Sequence, residues 1–175
     1  AARRVRLIPN IVQLAAAASL GKSAQAAPQL KGYVEIKIDP AEELTRMPSV
    51  SWAIDQLRAS LAAKEVITKG SGSPSVTIVV APFNNSLTTG FHLPAERKPE
   101  MIGLIPSPDR ENRILVTGVD ARGLIYGLLE LTDRVRTTDN LSAALTLRAP
   151  LIETTPNRIR SVARSFCSEI EDKSW

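Results

Sequence analysis

The alternation of apolar and polar residues along the chain predicts several strands. Residues 33–38 alternate strictly, which indicates a half-buried strand with one side facing solvent. Residues 76–81 form a nearly continuous, β-branched apolar run, as expected for a buried central strand. Two further apolar runs, residues 101–105 and 113–117, flank a polar turn and predict two more strands. Alternating apolar residues at 145–149 predict a last short strand.

Two segments have helical periodicity instead. Residues 49–63 repeat apolar side chains every three or four positions and follow a proline, which is tolerated at a helix start. Residues 121–136 carry a leucine-rich stripe behind Asp120, a good N-cap residue. Gly123 and Gly127 lie four apart and therefore on one face of this helix. Because glycine costs helix stability, we expect that face to pack closely against a neighbour.

These elements follow one another in the order β-α-β-β-β-α-β. About four strands with both helices on one face make a two-layer α/β sandwich of the α+β class. Residues 82–99 are polar and rich in turn formers, so we predict an exposed loop there. The sandwich domain is expected to occupy residues 27–156.

The net charge of +4 is located at the N-terminus. Residues 1–26 hold Arg3, Arg4, Arg6 and Lys22 and no acidic residue, which leaves the rest of the chain formally neutral. An arginine cluster, a short Ala-rich apolar run and Ala24-Gln25-Ala26 are ordered as in a secretory signal peptide. Residues 1–26 are therefore predicted to be an export leader, with an amphipathic N-terminal helix as the alternative.

This distribution of charge bears on location and partners. The leader predicts a periplasmic or extracellular protein, and its apolar run is too short for a stable membrane anchor. A neutral body with few aromatic residues does not predict a nucleic-acid partner. The leader fits Sec export or, through Arg3-Arg4, twin-arginine export.

Few residues offer chemistry. A single histidine, His92, and a single cysteine, Cys167, exclude a multi-histidine metal site and an internal disulfide, and no cofactor is expected. Gly70-Ser71-Gly72 precedes a strand instead of opening a helix, which favours a plain turn over a phosphate loop. We interpret His92 as an exposed loop residue and Cys167 as a partly buried thiol without a base.

Three carboxylates near the end of the chain, Glu169, Glu171 and Asp172, allow two interpretations. They form a solvated acidic turn, or they follow the first strand of an α/β barrel, where active-site residues are found. Paired carboxylates hydrolyse glycosides when one is neutral and the other charged.

A motif at the second helix resembles a known segment of glycoside hydrolases. Gly118, Asp120, Gly123, Tyr126 and Gly127 form the pattern Gly-x-Asp-x-x-Gly-x-x-Tyr-Gly after a strand. The motif is similar to one in the small α/β domain before the catalytic barrel of family 20 β-hexosaminidases and of α-glucuronidases. The resemblance covers roughly residues 33–156 and implies a non-catalytic domain that packs against a sugar-cleaving barrel.

Residues 157–175 resemble the first strand of that barrel. The resemblance implies that Arg160, or otherwise Arg164, binds the substrate sugar, and that the acid/base pair lies beyond Trp175. The fragment itself is then inactive, while its parent protein is a hydrolase. The sequence leaves a second class open, a self-standing exported binding or interaction module without enzymatic activity.

Overall fold

The computed structural model describes Leu30 and residues 32–154, which form one five-stranded sheet with its helices on one face. The strands are β1 (Val34–Ile38), β2 (Val76–Val80), β3 (Ile102–Pro106), β4 (Arg113–Gly118) and β5 (Leu151–Glu153). The helices are α1 (Glu43–Arg46), α2 (Pro48–Ala63), α3 (Ala121–Thr137) and α4 (Leu141–Ala144). The predicted α/β sandwich is confirmed. Residues 1–26, predicted to be a leader, and residues 157–175, with Arg160 and Arg164, lie outside the described residues.

The strand order is β1-β2-β4-β3-β5. Strands β1, β2 and β4 are parallel, whereas β3 is antiparallel to both β4 and β5. The short polar turn between β3 and β4 accounts for this reversal, because only antiparallel neighbours can be joined by a tight turn. Strand β5 therefore runs in the same direction as β4. We call the side of the sheet where β1, β2, β4 and β5 end the carboxyl edge.

Helices α2 and α3 pack side by side on one sheet face. The Lys64 ammonium, just after α2, donates to the carbonyl oxygen of Thr138, just after α3, at 2.8 Å. The helices therefore run in the same direction and end together. They bury apolar stripes against the sheet: Val50, Ile54, Leu57 and Leu61 from α2, and Leu124, Leu128, Leu131 and Val135 from α3.

The opposite sheet face is partly covered by residues 82–99. Phe91 is 7% exposed and packs with Val79, Ile105 and Leu115 in a second apolar cluster. The guanidinium of Arg113 lies 4.5 Å from the centroid of the Phe91 ring. The prediction of an exposed loop holds for its charged residues and is wrong for its buried aromatic ones. Because most residues of this loop are polar, the sequence did not reveal the few apolar side chains that pack it onto the sheet.

The last strand lies later in the chain than predicted. Residues 145–149 do not form a strand: Leu145 follows α4 directly and is buried in the core beneath the helices. The side chain of Asn140 caps α4 by accepting from the N–H of Ala143 at 3.1 Å. This cap starts a helical turn and directs Leu145 inward, so β5 forms only after Pro150. The alternating apolar residues at 145–149 correctly indicated burial, but the buried segment is not a strand.

If Phe91 attaches the loop to the sheet, Phe91→Ala should lower the free energy of unfolding by about 3 kcal/mol, as buried Phe→Ala changes do. The urea midpoint at unchanged slope measures this loss. The neighbouring exposed change His92→Ala is the control and should alter stability by less than about 0.5 kcal/mol. Equal midpoints for both variants would show that the loop does not cover the sheet.

Candidate functional site

The Asp120 carboxylate connects the start of α3 to the segment that leads into β3. Its Oδ1 accepts from the N–H of Gly123 at 2.8 Å, and its Oδ2 accepts from the N–H of Glu100 at 2.8 Å. The first bond caps the helix, and the negative charge suits the positive end of the helix dipole. Both oxygens therefore bind backbone, which makes Asp120 a structural link and not a proton donor or acceptor for a substrate.

The motif glycines lie where α3 meets the sheet most closely. A methyl group on Gly123 would collide with the carbonyl oxygen of Met101, and one on Gly118 with the backbone of Leu124. On Gly127 it would lie 3.3 Å from Cγ1 of Val116, a tight contact with a buried β-branched side chain. The structure thus places both helix glycines on the packed side, and at Gly123 the helix backbone directly approaches that of Met101, just before β3.

Glu100 and Arg122 form an ion pair beside this link. The Glu100 carboxylate accepts from Nη1 of Arg122 at 2.9 Å, while its own N–H is bound by Asp120. The hydrogen bond and the charge of Glu100 raise the pKa of the Arg122 guanidinium above its ordinary value. Tyr126, one turn further along α3, is 40% exposed on the outer side of the helix. The motif thus has a buried glycine side and an exposed tyrosine side.

A second polar cluster lies at the carboxyl edge between β1 and β2. The Asn85 amide donates to the carboxylates of Asp39 at 3.1 Å and Glu42 at 2.9 Å. The backbone N–H of Ala41, followed by the Asn85 amide, lowers the pKa of Asp39. A general acid for glycoside cleavage needs a raised pKa, so Asp39 is unsuited to that role. The cluster instead joins the loop after β2 to the connection after β1.

An open groove of about 580 Å³ lies at the opposite edge of the sheet, where β3 ends. Its polar lining includes His92, Glu111 and Arg148, between prolines and Leu147. The described residues contain no group of three His, Cys, Asp or Glu able to hold a metal ion. Among residues 32–154, no helix is long and apolar enough to cross a membrane.

The remaining candidates are placed as follows. Gly70-Ser71-Gly72 is an exposed turn before β2, in which the Gly72 carbonyl oxygen accepts from the Tyr33 hydroxyl at 3.0 Å. His92 is exposed in its loop. Both positions agree with the sequence interpretation, in which the glycine segment is an ordinary turn and His92 is an exposed loop residue. The other candidates lie outside the described residues: Arg160, Arg164, Cys167, Glu169, Glu171 and Asp172.

Sequence reasoning missed two residues of these clusters. Glu100 has a φ of 58°, a left-handed conformation that side chains rarely adopt, and nothing near it in the sequence signals this. Asn85 is a typical turn residue, and its side chain caps a 3-10 turn at Ser86–Thr88. Its contact with Asp39 and Glu42, which follow β1, was not visible in the sequence, because the whole of α2 and β2 lies between them and Asn85.

No known protein family and no curated protein matches the sequence. Several solved structures align with it in shape, two of which are described here. One is a GH138 enzyme targeting pectin rhamnogalacturonan II, with 17% identity, a TM-score of 0.45, and coverage of 69% of this chain and 15% of that one. The other is a GH115 4-O-methyl-alpha-glucuronidase with specificity for decorated arabinogalactans, at 22% identity, a TM-score of 0.49, and coverage of 63% and 14%.

Both of these proteins are glycoside hydrolases, and this chain spans about one seventh of their length. At these identities and TM-scores, neither alignment transfers an activity or a substrate to it.

Removing the Asp120 carboxylate should release both backbone N–H groups at once. We expect Asp120→Ala to lower the free energy of unfolding by about 2 kcal/mol, the upper end for a lost helix cap. Asp120→Asn retains one acceptor oxygen and should lose less. Asn140→Ala, which removes a single-bond cap from short α4, is the matched control. A loss at Asp120 no larger than at Asn140 would argue against the double link.

Alanine at the helix glycines tests the close packing. Gly123→Ala forces a backbone collision and should lower the urea midpoint strongly, whereas Gly127→Ala should lower it less, since overpacking costs about 1–3 kcal/mol. The control Ala59→Gly, exposed in α2, gives the propensity difference in this protein, about 1 kcal/mol. A midpoint raised by Gly127→Ala would show that Val116 yields and that the contact is not tight.

Proposed function

We propose that this chain is an accessory, non-catalytic α/β domain of an exported glycoside hydrolase. In this proposal the domain packs against and supports a sugar-cleaving barrel that follows it. The observation that carries the proposal is the motif from Gly118 to Gly127, which resembles the domain preceding the barrel in β-hexosaminidases and α-glucuronidases. The exported location rests on the leader-like residues 1–26.

The geometry of the motif supports an accessory role. Catalytic carboxylates must face a substrate, whereas Asp120 uses both oxygens on backbone N–H groups. Glu100 is paired with Arg122, and Asp39 has a lowered pKa. These three carboxylates at the carboxyl edge therefore hold the fold together. A domain of this kind contributes rigidity and surface to its neighbour, and no proton transfer.

The catalytic part is proposed to begin within residues 157–175. Arg160, or otherwise Arg164, would contact the substrate sugar from the first barrel strand, as the resemblance implies. The acid/base pair would lie beyond Trp175, in a barrel of about 250 residues. The alternative, a self-standing exported binding module, has no such continuation.

The experiment has two parts, a reading of the gene beyond Trp175 and an activity assay. The 175-residue chain, incubated with chromogenic β-hexosaminides and glucuronides, should release no chromophore. The longer gene product should hydrolyse at least one substrate of such a panel. Within it, alanine at the sugar-binding arginine should raise KM or abolish turnover, whereas Arg136→Ala on the exposed side of α3 should leave kcat/KM unchanged.

Two results would contradict the proposal. A stop codon shortly after Trp175 would favour the self-standing module. Reproducible turnover by the 175-residue chain, lost on mutating Glu169 or Glu171, would place catalysis within this chain.

A further inference from the structure

We infer that the sheet face opposite the helices binds an acidic oligosaccharide, a sugar chain that carries carboxylate groups. The site is a row of polar residues that crosses the sheet at the edge where β3 ends. We call it the cross-strand row, and it consists of Glu35, Thr77, Arg113, Ser107 and Arg148. The inference goes beyond the proposed accessory role, because packing against a barrel requires no ligand site, and it rests only on residues 32–154.

The register of the sheet aligns the row. Glu35 pairs with Thr77, and Thr77 pairs with Arg113 in the next strand, so their side chains share one face. The N–H of Ser107 donates to the Arg113 carbonyl oxygen at 2.8 Å, which continues the row past the end of β3. Arg148 lies in the segment before β5 and lines the same groove as Ser107. From β1 to β5 the row crosses four strand spacings, about 19 Å, so it suits an extended chain.

Two hollows meet at Ser107. The first is the groove of about 580 Å³ at this edge, which His92 and Arg148 also line. The second, of about 430 Å³, extends from Ser107 to β1. Besides Ser107, polar and charged residues line it: Glu35, Lys37, Thr77, Asp109, Arg110 and Arg113. Because Ser107 belongs to both linings, the two hollows adjoin along the cross-strand row.

The hydroxyl group of Ser107 indicates that the row takes a ligand. Ser107 is 8% exposed, and its Oγ is buried with no hydrogen-bond partner in the described part of the chain. A buried hydroxyl without a partner destabilises a fold, so its presence calls for an explanation. Rotation about the Cα–Cβ bond moves a serine hydroxyl between staggered positions. In the proposed site this rotation turns Oγ into the hollows, where a ligand oxygen supplies the missing hydrogen bond.

The cations of the two hollows are available to a ligand. None of the ion pairs that join described residues includes Lys37, Arg110, Arg113 or Arg148. The Arg113 guanidinium lies 4.5 Å from the centroid of the Phe91 ring, and this stacking holds it on the outer face of the sheet. Arginine binds carboxylates through two parallel hydrogen bonds, so separate arginines can hold carboxylates on separate units of one chain.

The carboxylates of the same hollows decide which kind of anion fits. Glu35, Asp109 and Glu111 would repel a ligand that is anionic throughout, such as a polyphosphate, but they accept hydrogen bonds from hydroxyl groups. A sugar acid offers carboxylates to the cations and hydroxyls to the carboxylates. An acidic polypeptide offers carboxylates without those hydroxyls. It is also disfavoured as an added strand, because Pro106 and Pro108 have no N–H to donate.

Isothermal titration calorimetry of the whole 175-residue chain tests the site. The probes are tetrasaccharides of galacturonate, of mannuronate and of glucuronate, and we expect at least one of them to bind. Its methyl ester keeps the hydroxyls without the charges, and tetraglutamate keeps the charges without the sugar hydroxyls. Each should bind at least about tenfold more weakly than the acid. Binding of none of the three acids, or equal binding of tetraglutamate or inorganic phosphate, would overturn the inference.

Variants that remove one positive charge locate the ligand. Arg148→Gln and Lys37→Gln change opposite ends of the two hollows, and each should weaken binding about tenfold, as expected for one lost hydrogen bond between charged groups. Arg46→Gln removes the same charge from an exposed residue of α1, beside the carboxyl edge, and should leave the affinity unchanged. Equal losses in all three variants would mean that net charge alone attracts the ligand, and would overturn the inference.

A pair of hydroxyl variants separates binding from folding. Ser107→Ala and Thr117→Val each remove a buried hydroxyl that has no partner among the described residues, so both should keep or raise the urea midpoint. Only Ser107 lines the hollows, so Ser107→Ala should weaken binding about fivefold, whereas Thr117→Val should not change it. Unchanged affinity in Ser107→Ala would overturn the assignment of the ligand to the cross-strand row.

The two proposals fail separately. Binding of a sugar acid together with a stop codon shortly after Trp175 would retain the cross-strand row and remove the hydrolase. A complete barrel gene, with no sugar acid bound by the 175-residue chain, would do the reverse.

Discussion

The close approach of α3 to the sheet is the constraint on which the rest of this structure depends. Glycine at 123 lets the helix backbone reach the carbonyl of Met101, directly before β3, and glycine at 127 lets it lie against Val116 of β4, at a propensity cost of about 1 kcal/mol each. The leucine stripe beside them offsets this cost by lying fully buried against the sheet. The approach also requires a fixed helix start, which Asp120 supplies by binding the N–H groups of Gly123 and Glu100.

This constraint organises the carboxyl edge. In sheets with parallel strands, small ligands commonly bind outside the carboxyl ends. Here the same edge is filled by the protein's own hydrogen bonds, with Asp120 at one end and Asp39, Glu42 and Asn85 at the other. The edge therefore offers side chains that are already engaged in structure.

The sequence predicted the parts of the fold that depend on neighbouring residues, and missed the parts that depend on contacts between distant ones. The helix with Asp120 as its cap was correctly predicted, because cap, stripe and glycine spacing are local. The position of β5 was not, since Leu145 is buried by contacts across the helix layer and not by strand pairing. Phe91 and Glu100 were missed for a similar reason. Phe91 attaches a polar loop to strands that are distant in the sequence. Glu100 adopts a left-handed conformation that is stabilised by a residue of another element.

The two sheet margins are protected against pairing with other chains in different ways. An edge strand exposes backbone groups that invite pairing with other chains, which charged or short strands discourage. Strand β1 presents the exposed charge of Lys37, as a margin facing water would. Strand β5 is short, and its Ile152 is 39% exposed beside the point where the chain departs. Ile67, 61% exposed beside the start of β1, is the corresponding apolar side chain at the other margin. Charge at β1 and shortness at β5 therefore both discourage pairing with other chains, and each margin keeps one exposed apolar side chain.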